Sequence, residues 1–481
     1  MTGSFGSALR WVASTSLLVQ AISWAGTLYV IRVLAPADYG LAAISAAVIS
    51  IISMIAEFGF GAAIVQAKTL DKPQIRGIFG ASLLFAGSLF TLIFLLAGPI
   101  ASFYRAPEVA LLIRVSALQI VIASLAMLPA SFLGREMAFR SAAPIEVAGG
   151  LSATATSVLL AMNGAGVWAL ILGPVVGVGV RTLLLNLFFR QPYWPSLNLA
   201  PARDLIRFGS QVATTRVVSY VFGQSDVVIA GRVLDKTALG EYSIAMHLAL
   251  LPVSKVMGIL NSVAYPAIAQ MQRTGYDMRP NLLNALRLAG YLLIPLLWGL
   301  AAIAPWMVDT VLGAQWTRSV ALLEIVGFVL PLRMISVLMS SAVQGMGRAD
   351  IELRNTITGL VVLPVCFAVG ASFGARGLAA AWAVGLPLMI AINVARSRPV
   401  LGIGLGQALG ALARPAACAG LMALSVRSAG YFGGPFMSTP AGLAALVAVG
   451  AIVYLGAFWT IDRESARAML RLVRPAAPAL P

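Results

Sequence analysis

VIRVLAPADYGLAAIS (Val30 to Ser45) and AGRVLDKTALGEYSIA (Ala230 to Ala245) are one phrase written twice: Arg32, Val33, Leu34 and Gly40 recur at Arg232, Val233, Leu234 and Gly240, each 200 residues on. The correspondence continues outward, in order. AAIVQ ending at Gln66 returns as PAIAQ ending at Gln270, and Pro99 returns as Pro305. LGRE around Arg135 returns as MGRA around Arg348, and GAGVWAL (Gly164 to Leu170) returns as GARGLAA from Gly374. The offset drifts only between 200 and 213 residues. A near-constant period this long reads as two homologous halves.

Composition says where those halves live. The 481 residues are 60% hydrophobic and 10% charged, with a mean hydropathy of +0.92. That is too little charge to cover a soluble protein, so the chain reads as an all-α polytopic membrane protein. Duplicated membrane units are the usual architecture of secondary transporters. Cys366 and Cys418 fall in apolar runs, as packing residues rather than a disulfide framework or metal cluster. A net charge of +16 would point to nucleic acid in a soluble chain. Here the Lys and Arg sort by membrane side instead, and neither nucleic acid nor a cofactor is implied.

Arg10 precedes an apolar run from Trp11 to Ile31, about the 20 residues a crossing needs. No small-residue cleavage site follows, so it reads as an anchor. Runs at 41–66, 77–98, 109–132, 145–162 and 166–189 complete six spans. The linker QPYWPSLNLAPARD, ending at Asp204, leads to six more at 206–230, 241–269, 284–306, 320–344, 355–373 and 377–394. Two further runs, 407–426 and 440–459, have no counterpart in the first half, giving 14 transmembrane helices. The expected organisation is a six-helix lobe over 1–200, a second over 201–400 with parallel topology, and two additional helices with a basic tail over 401–481. Of the 33 Lys and Arg, 21 fall on one side, 7 on the other and 5 inside spans. The positive-inside rule then places both termini in the cytoplasm. The final DRESARAMLRLVR (Asp462 to Arg474) reads either as an interfacial amphipathic helix or as a plain cytoplasmic tail.

The five cations inside spans are Arg114, Arg181, Arg216, Lys255 and Arg333; the clear anions with them are Glu57, Asp226 and Glu324. Each such charge costs about 2.5–3.5 kcal/mol near a helix centre, so each must face protein or water. Arg114 and Glu324, near span ends, read as interhelical pairs or snorkelling side chains. For Arg216, Asp226, Lys255 and Glu57 a polar cavity is expected, with Arg181 open between the two. Arg216 and Asp226 are ten residues, about 15 Å, apart on one helix, and cannot neutralise each other. The surplus of cations leaves an anionic ligand as the free partner. Arg216, Lys255, Arg181 and Arg333 are therefore the candidate substrate-binding residues, since guanidinium binds phosphate oxygens bidentately and stays charged when desolvated. Asp226, Glu57 and His247 are the candidates for ion coupling, although His247 reads better as a buried, hydrogen-bonded side chain. The Gly-rich GIGLGQ (Gly402 to Gln407) follows no βαβ pattern and reads as a loop.

What is missing narrows the class. No Gly-Lys dipeptide occurs, so there is no Walker A phosphate loop, and one histidine cannot make an HExxH metal site. No long outer loop carries the paired acids of a membrane glycosyltransferase. The chain is not expected to be an enzyme.

RVLAPADYGLAAI (Arg32 to Ile44), AEFGFGAAIVQ (Ala56 to Gln66), FLGREMAFR (Phe132 to Arg140), GAGVWAL (Gly164 to Leu170) and SDVVIAGRVLDKTALGEYS (Ser225 to Ser243) occur in this order across roughly residues 1–400. Together with the span count they resemble the polysaccharide transporters of the multidrug/oligosaccharidyl-lipid/polysaccharide exporter superfamily, above all their Wzx-type, colanic-acid-exporter-like branch. The resemblance implies the exporter fold of that superfamily and an inner-membrane flippase. Its substrate would be undecaprenyl-pyrophosphate-linked oligosaccharide, moved by alternating access for exopolysaccharide, capsule or lipopolysaccharide O-antigen synthesis. It also implies a coupling ion, proton or sodium, and a polysaccharide polymerase with its chain-length machinery as partners. In that family basic cavity residues hold the anionic headgroup, a role that falls here to Arg216 and Lys255. Two other readings stand beside it: a multidrug cation exporter of the same superfamily, which requires an acidic cavity, and a non-transporting membrane scaffold.

Overall fold

A computed structural model describes residues 22–57, 59–67, 69–136, 139–189, 193–207, 223–274 and 278–465, with single residues 20, 209 and 467. Among the described residues there are helices, turns and connections, and no strand. Ten of the described helices are long and apolar enough to cross a membrane, and a bent pair, Val109–Leu125 with Met127–Arg135, makes up to eleven. The chain is a multi-pass membrane protein. Its helices overrun the apolar runs of the sequence: 77–98 lies within Lys72–Phe103, and 377–394 within Gly374–Leu401. The physical reason is that a helix satisfies its own backbone wherever it lies, so it need not stop where the hydrocarbon does. Caps stop it instead. Asp71 begins Lys72–Phe103 with a capping box in which its N–H donates to Gln74 Oε1 at 3.1 Å, and Pro73 fits the first turn.

The chain divides into two compact units, Met1–Gly240 and Glu241–Pro481. The first holds α1 (Ile22–Val33), then α2 (Pro36–Glu57), α3 (Phe60–Gln66), α4 (Lys72–Phe103), α5 (Val109–Leu125), α6 (Met127–Arg135), α7 (Phe139–Met162), α8 (Trp168–Phe188) and α9 (Ser225–Val233). Helix α5 packs against α2, α4 and α8, and α7 against α8. The α7–α8 seam is built from small residues one turn apart: Gly149, Ala153 and Ser157 face Gly173 and Gly177. A Cβ on Gly177 would come within 2.7 Å of Ala153 Cβ. Such spacing lets backbones approach where no hydrophobic force pulls membrane helices together.

The two copies of the repeated phrase meet at the edge of this unit. Helix α10 (Lys236–Thr274) begins here and continues into the second unit. Gly40, in the first turn of α2, lies against the backbone of Lys236, and Gly240, in the first turn of α10, lies against the backbone of Pro36. A Cβ on either glycine would stand 2.7 Å from the facing carbonyl carbon. Beside them Lys236 Nζ pairs with Glu108 at 3.4 Å, and Arg232 lies 5.5 Å over the Phe103 ring.

The second unit continues with α11 (Met278–Met307), α12 (Ser319–Val329), α13 (Arg333–Gly345), α14 (Ala349–Ala371), α15 (Gly374–Leu401), α16 (Leu405–Phe432) and α17 (Pro440–Ile461). Its main pairings are α14 with α15, α11 with α16, and α16 with α17. The last two helices are thus part of the unit's packing. GIGLGQ is a tight connection: Gly402 (φ 67°) ends α15, and the Gly404 N–H donates to Gln407 Oε1 at 2.9 Å to start α16. Cys366 and Cys418 are free thiols, the latter buried. Just past α17, Asp462 is buried and receives the Tyr291 hydroxyl at 2.9 Å, the Ser465 hydroxyl at 2.9 Å and the Ser465 N–H at 3.1 Å. Arg414 approaches it at 3.5 Å. Asp462 therefore caps the start of the basic tail while tying it to α11. Residues 468–474 of that tail lie outside the described residues.

Candidate functional site

Two interruptions of regular helix shape the cavity of the first unit. Gly59, at φ 64°, separates α2 from α3, and a Cβ there would meet the backbone of Gly209. A left-handed φ at such close quarters admits little but glycine. The second interruption is the 48° bend at Ala126, between α5 and α6. Irregular backbone at membrane depth persists where it is buried in protein or lines a polar cavity, and both breaks border one. The cavity, of about 300 Å³, is lined by Gly59, Ala126 and Met127 from the breaks, by Ser53, Ser82, Ser124 and Ser131, and, among the described residues, by one charged side chain, Arg181. That volume is at the lower end for a small-molecule site. It admits a headgroup, not an oligosaccharide.

Arg181 arrives there because of the small-residue seam. It lies one turn beyond Gly177 on α8, and its Cβ packs against Gly149 of α7. One turn before Gly149 stands Glu146, whose Oε1 accepts from Arg181 Nε at 2.7 Å. The pair is partly exposed, at 33% and 52% of the two side chains. Because Nε alone goes to the carboxylate, the four N–H groups of the two terminal nitrogens have no protein partner among the described residues. Glu146 also corrects the count of anions: it lies inside the run 145–162 and was not set against Arg181. Its signal was present, since the rows of small residues on both helices lead to these two side chains, Arg181 four residues past Gly177 and Glu146 three residues before Gly149.

The other predicted residues are not brought together with Arg181. Asp226 is buried in the first turn of α9, where the helix dipole favours a carboxylate, and Val227 N–H donates to its Oδ1 at 2.8 Å. Arg333 opens α13, half-buried and engaged with its surroundings. Arg216 lies outside the described residues, as do the side chains of Glu57 and Lys255. His247, read as buried and hydrogen-bonded, is instead exposed, because its turn of α10 buries Ala245, Met246 and Ala249 on the opposite face. Arg114 donates from Nε to the Phe94 carbonyl at 3.2 Å and covers the Phe94 ring at 5.0 Å. Glu324 pairs with Arg427, which also donates to the Ala302 carbonyl at 3.2 Å and lies 5.7 Å over Trp306. Arg427 lies near the end of α16.

Comparison with known proteins agrees with this architecture. A family model described as polysaccharide biosynthesis protein matches residues 29–321. The chain is 24% identical to the lipopolysaccharide biosynthesis protein WzxC of Escherichia coli (strain K12), over 82% of this chain and 81% of that one. It is 26% identical to the succinoglycan biosynthesis transport protein ExoT of Rhizobium meliloti (strain 1021), over 93% and 91%. Its fold matches that of the lipid II flippase MurJ in an inward closed conformation, with a TM-score of 0.77, 13% identity and coverage of 95% and 100%. It also matches an inward-facing multidrug resistance transporter of the MATE family in the MOP superfamily, with a TM-score of 0.61, 15% identity and coverage of 80% and 94%. A family match over more than half the chain makes the chain a member of the polysaccharide biosynthesis protein family.

Proposed function

We propose that this chain is a flippase of the inner membrane that moves undecaprenyl-pyrophosphate-linked oligosaccharide from the cytoplasmic to the outer leaflet by alternating access, for exopolysaccharide, capsule or O-antigen synthesis. The observation that carries the reading is the Arg181 cavity: a headgroup-sized space of small residues and four serines in which, among the described residues, the charged lining side chain is a guanidinium. Glu146 holds Nε and fixes the plane of the fork, and the remaining N–H groups suit phosphate oxygens. The similarity to a succinoglycan transport protein over 91% of that protein supports an anionic glycan carrier as the cargo.

In this reading the chain has 14 spans with both termini in the cytoplasm, in two six-helix lobes of parallel topology plus α16 and α17. Ten membrane-length helices and the bent pair among the described residues support that number, and the apolar runs of the sequence at 11–31, 206–230 and 241–269 are read as the other three. Arg216, Lys255 and Arg333 remain candidates for the glycan phosphate, and Asp226, Glu57 and His247 for a coupling proton or sodium ion.

The test is transport of a polyprenyl-pyrophosphate-linked glycan in proteoliposomes containing the full chain. Arg181→Gln should lower the rate about tenfold or more, as expected for loss of charge-assisted hydrogen bonds, at normal membrane abundance. The double variant Arg181→Gln with Glu146→Gln restores neutrality between α7 and α8. If the pair serves only to hold those helices, the double variant recovers transport; if Arg181 contacts the headgroup, it does not.

A further inference from the structure

Arg396, near the end of α15, is held without a carboxylate. Its Nη1 donates to Asn355 Oδ1 at 3.0 Å and to Thr358 Oγ1 at 2.9 Å, both on α14. Those acceptors are themselves fixed. The Thr358 hydroxyl donates its proton to the Arg354 carbonyl at 2.9 Å, and the buried Asn355 donates from Nδ2 to Ser397 Oγ at 3.3 Å. With both Nη1 protons used, Nε–H and Nη2 are left without a partner among the described residues. These two nitrogens form one edge of the guanidinium, the edge with which Arg348 grips Asp350 at 2.9 Å twice. Neutral dipoles have oriented a full positive charge and left its bidentate edge open.

The surroundings name the chemistry of the ligand. Leu353, Ile357, Val361, Val365 and Val369 are exposed at four-residue spacing along α14, a stripe about 24 Å long. Val384 and Leu388 are exposed on α15. Branched aliphatic side chains over that length match acyl chains, the hydrocarbon core being about 30 Å thick. Arg354 and Arg398, both exposed, stand at the same end of the helix pair as Arg396. Basic pockets between helices at this level of a membrane bind lipid headgroups.

We propose that the Nε/Nη2 edge of Arg396 binds the phosphate of an anionic glycerophospholipid, with its acyl chains along the Leu353 to Val369 stripe of α14. The site is independent of the transport cargo. The full-length protein in neutral detergent is incubated with equal phosphatidylglycerol and phosphatidylcholine, and bound lipid is counted by native mass spectrometry. The wild type should prefer phosphatidylglycerol by about fivefold, the contribution of one basic residue near the interface. Arg396→Gln should bring the ratio close to one, Arg396→Lys should keep part of it, and Arg398→Gln should lower it far less. Should Arg396→Gln fail to fold, Thr358→Val, which frees one Nη1 proton, must still lower the ratio. The proposal is overturned by a wild type without preference, by folded Arg396→Gln retaining it, or by Arg398→Gln losing as much. It is equally overturned if polyprenyl diphosphate at equal concentration displaces phosphatidylglycerol, since the site would then belong to the cargo.

Discussion

Gly240→Ala is the smallest change that attacks the meeting of the two repeats. Its Cβ would stand 2.7 Å from the Pro36 carbonyl carbon and 3.0 Å from Gly40 N. The Pro36 carbonyl oxygen lies nearer still, and ordinary contact begins near 3.4 Å, so α2 and α10 must part by more than 3.4 − 2.7 = 0.7 Å. Nothing flexible lies in the way that can turn aside, because the neighbours are backbone. Overpacking of this kind costs about 1–3 kcal/mol, and for a unit of roughly 240 residues about 2 kcal/mol lowers Tm by about 4–8 °C. Gly40→Ala strikes the backbone of Lys236 across the same gap. Once one methyl has parted the helices the second finds room, so the double variant should lose less than the sum of the singles. The assay is thermal unfolding of the purified full chain in one detergent, with Gly87→Ala as control. Gly87 lies inside α4 with nothing within 4 Å of its would-be Cβ, and alanine there should be neutral or stabilising by about 0.5–1 kcal/mol. A Gly240→Ala protein melting with the wild type, or strictly additive singles, would refute the reasoning.

Gly177→Leu should force α7 from α8 at Ala153 and draw Arg181 away from Glu146; loss of transport exceeding that of Glu146→Gln, measured in the same proteoliposomes, checks that the seam positions the guanidinium. Asp462→Ala strands the buried Tyr291 and Ser465 hydroxyls and should cost about 1–3 kcal/mol, read as a fall in Tm that Asp462→Asn partly repairs. Burial pushes the Asp462 carboxyl up, yet hydrogen bonds from Ser465 and Tyr291 with the nearby Arg414 hold it below its ordinary 3.8. A depressed carboxyl stabilises the fold above its unfolded value and ceases to as pH falls through the folded one. Wild-type Tm should therefore drop below about pH 3.8 more steeply than that of Asp462→Asn.

How much of this could be read from the sequence depends on whether a feature is local. The helices were legible because apolar runs of crossing length admit few other structures. The repeated glycines were legible as a pattern, and their cause is now visible: Gly40 and Gly240 are contacts, while Gly164 (φ 72°) and Gly374 (φ 78°), also paired by the repeat, both turn the chain in the left-handed region. Partnerships were not legible. Arg181 and Glu146 are 35 residues apart, and Arg427 and Glu324 are 103 apart; only the packed helices decide such pairs. The cavity was hidden for the same reason, since neither Gly59 nor Ala126 announces in sequence that a helix breaks there.

The pairings sort the cations of these helices by how much charge each still offers a ligand. Arg427 meets a carboxylate, a carbonyl and an indole ring, so little of its charge or donor capacity remains. Arg114 has a carbonyl and a ring but no acid; it is solvated by the protein rather than neutralised. Arg181 is neutralised in sum yet spends one N–H of five on Glu146, which makes it an oriented donor whose attraction for an anion is short-ranged. Arg396 keeps its whole charge, because Asn355 and Thr358 bring dipoles and no counter-charge. Coulomb attraction reaches farther than a hydrogen bond. An anion approaching Arg396 is therefore drawn from a distance and held at the membrane surface, whereas one at Arg181 must already be inside the cavity. A resident lipid suits the first arrangement. A cargo headgroup that is gripped only in passing, and must be released on the other side, suits the second.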